Sequence, residues 1–570
     1  MNEDFRKSAP APLAPIPFEI PQPFETVLPN GLKVVMYEDK RLPLVSFRLA
    51  FRSGEVNDPK DSIGLTSAMT SMLSEGTKTR TSKQLAEEIE RLGANVSASS
   101  NADNTVISAS ALSLYSSDIL RLMAEITLFP TFPESELKLY KQNTIENLKF
   151  QRSQPGFLAE EQTARLLYGS HPYSITSPKP ADVEKITRQE LIQFHEKMFV
   201  PENAIFIVVG DANRESILKE IEENFGHWTQ GSFEEMYFPM PPARTETTVT
   251  IVDRPGSAQS NIVLSNPALE RTNPDYFPLL VMNQILGAGA SSRLFMNLRE
   301  EKGYTYGAYS SLDARRLAGA FEATSEVRTP VTGDSLKEFF YELNRIRDEK
   351  VSEGELKDAK NFLSGVFPIR VETQEGLTNL IVSQQLYNLP ADYLQTYRHK
   401  INEITIEDVE RAAKKYITPE KLAIVVVGDA EEVLPQVNSY SDKIEVFDTE
   451  GNPVDIVNYG KESNEETADV TGKWNLIIDF QGQKLPVTLI LEQKANKISG
   501  SLESMLGRGE ITDGKVKGNK FFGTAQIEAQ GQSLEVLLQG DLPNENEVNG
   551  TLSAQMDGMP DLPFTGKKVS

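Results

Sequence analysis

A segment of fourteen residues occurs twice in this chain, and the distance between the copies limits what the chain can fold into. The first copy, FVPENAIFIVVGDA, covers residues 199–212, and the second, ITPEKLAIVVVGDA, covers residues 417–430. Seven of the fourteen positions are identical, and Gly428 follows Gly210 by 218 residues. That interval is much longer than a solenoid repeat and has the size of a domain. The sequence therefore predicts two tandem copies of one domain.

Each predicted half mixes strands with helices. Both copies of the repeat contain an apolar run typical of a buried strand and end in a Gly-Asp-Ala turn. In the first half, the patterns predict strands at 32–37 and 45–51 and helices at 83–92 and 134–151. We therefore expect an α+β fold in each half.

Three further segments differ in composition from the two predicted α+β halves. MYFPMPPAR, residues 236–244, holds three prolines and predicts an extended hinge. Beyond Val470, short β-rich runs alternate with turn residues, which predicts a small all-β barrel or sandwich with Trp474 in its core. The expected organisation is a Pro-rich arm (1–22), a first domain (23–235), a hinge (236–245), a second domain (246–447), a linker (448–469) and an all-β domain (470–570).

Charge and composition exclude several classes of function. The chain has 58 Lys+Arg against 82 Asp+Glu, a net charge of −24, and this disfavours nucleic acid and anionic membranes as partners. No apolar run approaches the roughly 20 residues of a membrane helix. The absence of cysteine rules out disulfides and thiolate metal sites. The compartment stays open: cytoplasmic as written, or periplasmic if Met1 replaces a removed export signal.

Histidine imposes a further limit. The chain has four histidines, His171, His195, His227 and His399, and no two lie within five residues of each other. A helical pair of histidine ligands one turn apart therefore cannot form.

The segment SSRLFMNLREEKGYTYGAYSS, residues 291–311, predicts a short helix followed by a strand. Ser291 or Ser292 can cap the helix, and Gly303 can end it. The reversal would bring Arg299 and Tyr306 near one another. Spacing alone favours the simpler explanation, a surface arginine beside a rim tyrosine.

This segment resembles the second-half signature of the insulinase family, which includes pitrilysin and the mitochondrial processing peptidases. The resemblance implies two tandem α+β domains that form half of a clamshell. It also implies that Arg299 and Tyr306 hold the substrate backbone, with the tyrosine hydroxyl stabilising the oxyanion of peptide hydrolysis. The resemblance extends over about residues 23–445, since further motifs follow in the family's order: LPNGLKVV (28–35), FRSGEVNDP (51–59), GLTSAMTSMLSEGT (64–77), HPYS (171–174) and both VVGDA turns.

Active members of that family carry HxxEH where this chain has GLTSAMTSMLSEGT. Aligned without gaps, the two histidine ligands become Ser67 and Ser71, the general-base glutamate becomes Thr70, and the third ligand becomes Asn147. The resemblance therefore implies no metal and no catalytic residue on this chain, because zinc needs imidazole, thiolate or carboxylate ligands. Zinc is expected in a partner subunit.

The strand after this helix, residues 93–105, resembles the edge against which active members lay the substrate as an added strand. Small residues, Ala98, Ser99 and Ser100, would keep that edge accessible. An ordinary polar edge strand that avoids aggregation is an equally good explanation.

The resemblance leads to one main hypothesis and two alternatives. The chain would be the non-catalytic subunit of a heterodimeric zinc metallopeptidase, supplying Arg299 and Tyr306 to a homologous zinc-bearing partner that acts on peptides or unfolded segments. Alternatively, it is an inert scaffold like the core subunits of the respiratory bc1 complex. In a third case, the function lies in residues 470–570, with the tandem halves as a platform.

Overall fold

A computed structural model describes residues 20, 22–459, 468–480, 483–504, 507–529, 532–554 and 562–569. The predicted Pro-rich arm, residues 1–22, lies outside the described residues except for Ile20 and Gln22. The structure confirms the predicted fold class: two α+β halves followed by an all-β domain.

The first half is built on a six-stranded sheet in the order β1-β2-β6-β3-β5-β4. The first copy of the repeat forms β6, which pairs in parallel with β2 and antiparallel with β3, and all its residues are buried. The strands are β1 (Phe24–Val27), β2 (Lys33–Glu38), β3 (Leu44–Phe51), β4 (Asn95–Ser100), β5 (Thr105–Leu112) and β6 (Ala204–Gly210).

Helices cover one face of this sheet and enclose the first core. Threonine caps fix two of them, since Thr81 and Thr187 each accept a hydrogen bond from the third backbone N–H of the helix they precede. The helices are α1 (Leu65–Met72), α2 (Ser82–Arg91), α3 (Ser116–Leu128), α4 (Glu134–Ser153), α5 (Pro155–Tyr168), α6 (Pro180–Lys185), α7 (Arg188–Met198) and α8 (Arg214–Phe225).

The second half repeats this plan with a seven-stranded sheet in the order β13-β12-β7-β11-β8-β10-β9. The second copy of the repeat forms β11, which again has one parallel and one antiparallel neighbour. The strands are β7 (Thr248–Asp253), β8 (Gln259–Ala268), β9 (Thr305–Ala314), β10 (Gly319–Arg328), β11 (Ala423–Gly428), β12 (Ile444–Phe447) and β13 (Pro453–Val454). The helices are α9 (Tyr276–Leu286), α10 (Arg293–Phe295), α11 (Thr332–Asp348), α12 (Glu353–Glu372), α13 (Gln374–Leu386), α14 (Tyr393–Glu403), α15 (Ile406–Tyr416) and α16 (Ala430–Val437).

The two halves exchange helices. Helix α13 of the second half packs on β3 and β6 of the first sheet, and helix α5 of the first half packs on β8 and β11 of the second sheet. Apolar side chains from both halves therefore share one core, as Ile207 does with Ile381, and Leu158 does with Val425. Burial of these faces stabilises the pair of halves as one body.

The connecting segments differ in how far they follow the prediction. Residues 229–247, which include the predicted hinge, form no helix or strand although the structure describes them throughout. The predicted linker, 448–469, contains β13, which pairs with β12 at the edge of the second sheet. Tyr459 then donates to Asp253 at 2.6 Å. The second sheet thus extends into the first part of the predicted linker.

The all-β domain is a closed barrel of eight antiparallel strands, which decides between the barrel and the sandwich. Trp474 is buried as predicted, and its indole Nε1 donates to the Val470 carbonyl oxygen at 2.9 Å. The strands are β14 (Gly472–Phe480), β15 (Gln483–Lys494), β16 (Lys497–Ser504), β17 (Gly507–Lys517), β18 (Lys520–Ala529), β19 (Gln532–Asn544), β20 (Glu547–Ala554) and β21 (Leu562–Val569).

The barrel sits against the second half. Gln539 donates to the Pro255 carbonyl oxygen at 3.2 Å, and Lys515 forms an ion pair with Glu432. A Cβ atom built on Gly256 would lie only 2.8 Å from the Cβ of Phe522, so the phenylalanine packs closely on the glycine backbone. Among the described residues, no helix is long and apolar enough to cross a membrane.

Candidate functional site

The helix that would carry the zinc motif, α1, begins at a tight turn held by Asp58. The Asp58 carboxylate accepts from the backbone N–H groups of Gly64 at 2.7 Å and Thr66 at 2.8 Å, and from the Thr66 hydroxyl at 2.5 Å. Gly64 has a φ of +89°, a left-handed conformation that favours glycine. The turn is therefore ordered although the metal motif is absent.

The three α1 positions matched to the zinc motif have unequal surroundings. Ser67 is half-buried and faces Tyr140 of α4, whereas Ser71 is exposed. Thr70 is only 3% exposed, and its hydroxyl is buried without a hydrogen-bond partner. The position of the general base is thus enclosed in the protein interior.

No hydrogen bond or ion pair joins Asn147 to these residues within the described part of the chain. Asn147 is exposed on α4, and its neighbour Glu146 forms an ion pair with Lys149 at 2.7 Å. Two α4 side chains one helical turn apart, Tyr140 and Thr144, reach the α1 positions. The Tyr140 hydroxyl faces the hydroxyls of Thr144 and Ser67. Asn147 follows Tyr140 by seven residues, which is about two helical turns, so both lie on the same face of α4, and the match of Asn147 to the third ligand stays a prediction.

The residues present do not fit a zinc ion. Ser67, Thr70, Tyr140 and Thr144 offer neutral hydroxyls, whereas zinc sites in proteins are built from imidazole, thiolate and carboxylate. Burial raises the pKa of Tyr140, which keeps its phenol protonated. No group of three or more His, Cys, Asp or Glu side chains with metal-site geometry occurs among the described residues. We therefore assign no metal chemistry to this site.

The second candidate pair, Arg299 and Tyr306, lies at the predicted junction of helix and strand. Helix α10 continues as a π-helical turn, Met296–Glu301, and Gly303 follows with a φ of +64°. Ser292 occupies the N-cap position, but its hydroxyl makes no capping hydrogen bond. π-Helical turns are rare in proteins, and those that occur often lie at functional sites.

Both side chains are accessible. The Arg299 side chain is 45% exposed, with its guanidinium carbon 4.8 Å above the centre of the Phe295 ring. Its Nε lies 3.6 Å from a carboxylate oxygen of Glu300. Tyr306 is 89% exposed. Neither a hydrogen bond nor a ring contact joins the two side chains in this described region, so their convergence stays a prediction.

A β-bulge explains why Tyr306 points outward. The register between β9 and β10 shifts between Ser325 and Val327, where Tyr306 and Gly307 stand opposite a single residue of β10. The Thr305 hydroxyl donates to the Glu326 carbonyl oxygen at 2.6 Å, and Ser325 donates to the Gly307 carbonyl oxygen at 2.9 Å. These bonds fix the bulge and turn the Tyr306 ring into solvent.

Tyr306 borders a cavity of about 890 Å³ between the second half and the barrel. Arg328 and Gln259 line the side of the second half, and Phe522 and Gln539 line the side of the barrel. No sequence motif predicts this cavity, because it depends on how two separate domains dock.

Strand β4 forms one edge of the first sheet, as the resemblance implied. Ala98 faces the helical layer of the first core, Ser99 is exposed, and Ser100 is half-buried beside Glu55. Burial raises the pKa of Glu55, and a hydrogen bond with Ser100 opposes that shift. The edge is available for strand addition, but nothing distinguishes this use from an ordinary edge.

A polar junction holds the turn after β4 against the second half. The buried Asp103 carboxylate accepts from the Tyr173 hydroxyl and from the backbone N–H of Arg316 at 3.0 Å. Tyr173 also accepts from the N–H of Leu317 at 3.2 Å. Sequence reasoning noted the HPYS motif that contains Tyr173 but did not assign it this role.

The fold and the site together define a class: a two-domain zinc-peptidase fold whose metal-binding positions are filled by hydroxyl side chains. Comparisons with known proteins agree. The insulinase family model (peptidase family M16) matches residues 33–180, and the peptidase M16 inactive domain model matches residues 185–363. The chain therefore belongs to the insulinase family, as an inactive homologue.

Two curated relatives illustrate the range of descriptions in this family. "Uncharacterized zinc protease YmxG" of Bacillus subtilis is 22% identical over 404 residues, which cover 70% of this chain and 96% of the relative. "Non-peptidase homolog YmxG" of Helicobacter pylori is 22% identical over 408 residues, covering 71% of this chain and 94% of the relative.

Solved structures show the same fold. The peptidase M16 inactive domain from Pseudomonas fluorescens has a TM-score of 0.67 and 28% identity, covering 71% of this chain and 98% of its own length. A protease from Helicobacter pylori has a TM-score of 0.66 and 20% identity, covering 72% of this chain and 100% of its own length.

Proposed function

We propose that this chain is the non-catalytic subunit of a heterodimeric zinc metallopeptidase, and that it supplies Arg299 and Tyr306 to a chamber whose zinc belongs to a homologous partner. One observation carries the proposal. The chain has lost every metal-binding side chain at α1, yet a defined bulge presents Tyr306 with 89% of its surface exposed. Because a single exposed aromatic side chain is common on protein surfaces, the proposal rests on the bulge that sets the direction of Tyr306 and on the cavity that this residue borders.

The chemistry assigned to the pair is binding and charge stabilisation. The Arg299 guanidinium would donate to a backbone carbonyl oxygen of the substrate, and the Tyr306 hydroxyl would donate to the oxyanion that develops at the scissile carbonyl. Neither group activates water, so hydrolysis depends on the zinc and the base of the partner.

The free edge of the first sheet also favours a substrate that binds in an extended conformation. The free edge of β4 can hydrogen-bond a peptide as an added strand, with Ala98, Ser99 and Ser100 leaving room for its side chains. The cavity beside Tyr306, of about 890 Å³, is large enough to hold several side chains of such a peptide.

The test is reconstitution. Affinity purification of the tagged chain should recover a homologue that carries HxxEH, and mixing the two purified chains should produce hydrolysis of a fluorogenic peptide. Arg299→Ala and Tyr306→Phe should each lower kcat/KM by about tenfold to a hundredfold, the loss of roughly 1.4–2.8 kcal/mol of transition-state stabilisation. Arg121→Ala and Tyr341→Phe, which change exposed residues on α3 and α11, are the matched controls and should leave activity unchanged.

Two results would contradict the proposal. Full activity in both Arg299→Ala and Tyr306→Phe would remove the assigned role. Recovery of partners that all lack a metal motif, with no peptide binding by the complex, would favour the scaffold.

A further inference from the structure

A second cavity, of about 1130 Å³, opens on the face of the first sheet that helix α13 leaves uncovered. Its floor is formed by β3, β5 and β4, and its wall by the first turn of α13. This cavity is separate from the α1 positions and from the cavity beside Tyr306, and the preceding proposal makes no use of it.

The floor is polar because the strand register aligns small hydroxyl side chains in two rows. Ser110 of β5 pairs with Ser46 of β3 on one side and Asn95 of β4 on the other. In the next row, Ser108 of β5 pairs with Arg48 of β3 and with Ser97 of β4. We call Ser46, Ser97, Ser108 and Ser110 the serine floor.

Arg48 is the unusual member of this surface. It is only 7% exposed, and its Nη1 donates to the Phe47 carbonyl oxygen at 3.0 Å. No carboxylate forms an ion pair with it in the part of the chain that the structure describes. Burial lowers the pKa of its guanidinium, and Glu375 at the mouth opposes that shift from a distance. A buried cation without an ion-pair partner costs stability, and an anion bound in the cavity would offset that cost.

The other charges at the cavity disfavour a ligand of high negative charge. Asp39 and Arg41 neutralise each other through paired hydrogen bonds of 2.9 and 2.7 Å. Glu372 and Glu375 are exposed at the cavity and would repel a doubly charged anion more strongly than a singly charged one. A guanidinium binds a carboxylate through two parallel hydrogen bonds, which suits a group of one charge.

The size and lining of the cavity indicate what carries that charge. About 1130 Å³ is far more than one carboxylate needs, and the walls add the amides of Asn95, Gln374 and Asn379 to the serine floor. Hydroxyls and amides both donate and accept, as a peptide backbone requires. We propose that Arg48 anchors a carboxylate-binding site that takes a short peptide by its C-terminal carboxylate, with the backbone lying on the serine floor. This site does not depend on the role proposed for Arg299 and Tyr306.

The experiment is isothermal titration of the full chain with four probes. Ac-Ala-Ala-Ala-OH carries the terminal carboxylate, Ac-Ala-Ala-Ala-NH2 lacks it, Ac-Ala-Glu-Ala-NH2 carries a side-chain carboxylate only, and inorganic phosphate tests a multiply charged anion. The free acid should bind about tenfold or more tightly than the amide. Arg48→Met should abolish this difference, Arg48→Lys should retain part of it, and Arg41→Met, which changes the paired arginine at the rim, should leave it intact.

Each result of the titration either supports or overturns the proposed carboxylate-binding site. A preference for the free acid over the amide that disappears in Arg48→Met supports the site. If Arg48→Met also weakens binding of the Glu-containing amide, the site accepts side-chain carboxylates as well. Tighter binding of phosphate, equal binding of acid and amide, binding unchanged in Arg48→Met, or an equal loss in Arg41→Met overturns it. Because Arg48→Met removes a buried unpaired charge, its unfolding temperature without ligand should equal or exceed that of the parent chain; a large decrease would assign Arg48 a structural role instead.

Discussion

Valine substitutions at Thr66 and Thr70 of α1 should change the stability of the first half in opposite directions. The two residues lie one turn apart on the same helix and undergo the same chemical change, so differences in helix propensity cancel. They differ in their hydroxyls: Thr66 donates to the Asp58 carboxylate at 2.5 Å, whereas the Thr70 hydroxyl is buried without a partner.

The magnitudes follow from these contacts. Thr66→Val removes a hydrogen bond to a carboxylate and should cost about 1.5–3 kcal/mol of unfolding free energy. Thr70→Val removes an unsatisfied buried hydroxyl and should stabilise by about 1 kcal/mol. With a urea dependence of about 2 kcal/mol/M, the midpoint should fall by about 1 M for Thr66→Val and rise by about 0.5 M for Thr70→Val.

The assay is urea unfolding followed by tryptophan fluorescence. The chain has two tryptophans, Trp228 in the first half and Trp474 in the barrel core. In a common Trp474→Phe background, the signal comes from Trp228 and reports the body formed by the two halves without the barrel. A Thr70→Val variant that is less stable than its parent would refute the reasoning, because the hydroxyl would then have a partner and the former base position would be open to solvent or ligand.

Three further predictions concern the second half and its junctions. Burial raises the pKa of Glu322 from 4.5 to about 7, so the folded state binds the proton more tightly than the unfolded state and loses stability as pH rises from about 4.5 to about 7. Glu322→Gln should therefore be neutral below pH 4.5 and stabilise by up to about 3 kcal/mol above pH 7, as measured by thermal unfolding against pH. Asp103→Asn weakens the bonds between the halves and should increase hydrogen exchange in the β9–β10 turn at Arg316, whereas unchanged exchange would mean that apolar packing alone holds the turn. Phe522→Asp should separate the barrel from Gly256 and raise the radius of gyration in small-angle scattering, and an unchanged radius would show that the polar contacts suffice.

Much of the architecture could be predicted because it follows from local patterns. The repeat marks the two central strands, β6 and β11, since an apolar run that ends in a Gly-Asp-Ala turn suits a strand buried on both faces. The Gly- and Asn-bearing turns after Val470 mark a small all-β domain, and the burial of Trp474 follows from its place among them.

The parts that could not be predicted depend on distant segments. Alternation in β3 places Arg48 on the face opposite Phe47, but only the docking of α13, over 300 residues later, decides that this face becomes a cavity. Likewise, the match of Asn147 to the third ligand rests on a residue count from α1 to α4, and it stays a prediction because the loops between these helices do not have a fixed length. Tyr140 was not considered because no motif marks a residue that fills a lost metal site.

Direct measurement of zinc binding to the purified, untagged chain tests the central claim most directly. Because hydroxyls replace the two histidine ligands at Ser67 and Ser71 and the general base at Thr70, calorimetric titration should show no stoichiometric binding of zinc, and the chain alone should not hydrolyse a fluorogenic peptide with or without added zinc. One tightly bound zinc per chain, together with peptide hydrolysis that a chelator abolishes, would contradict the account.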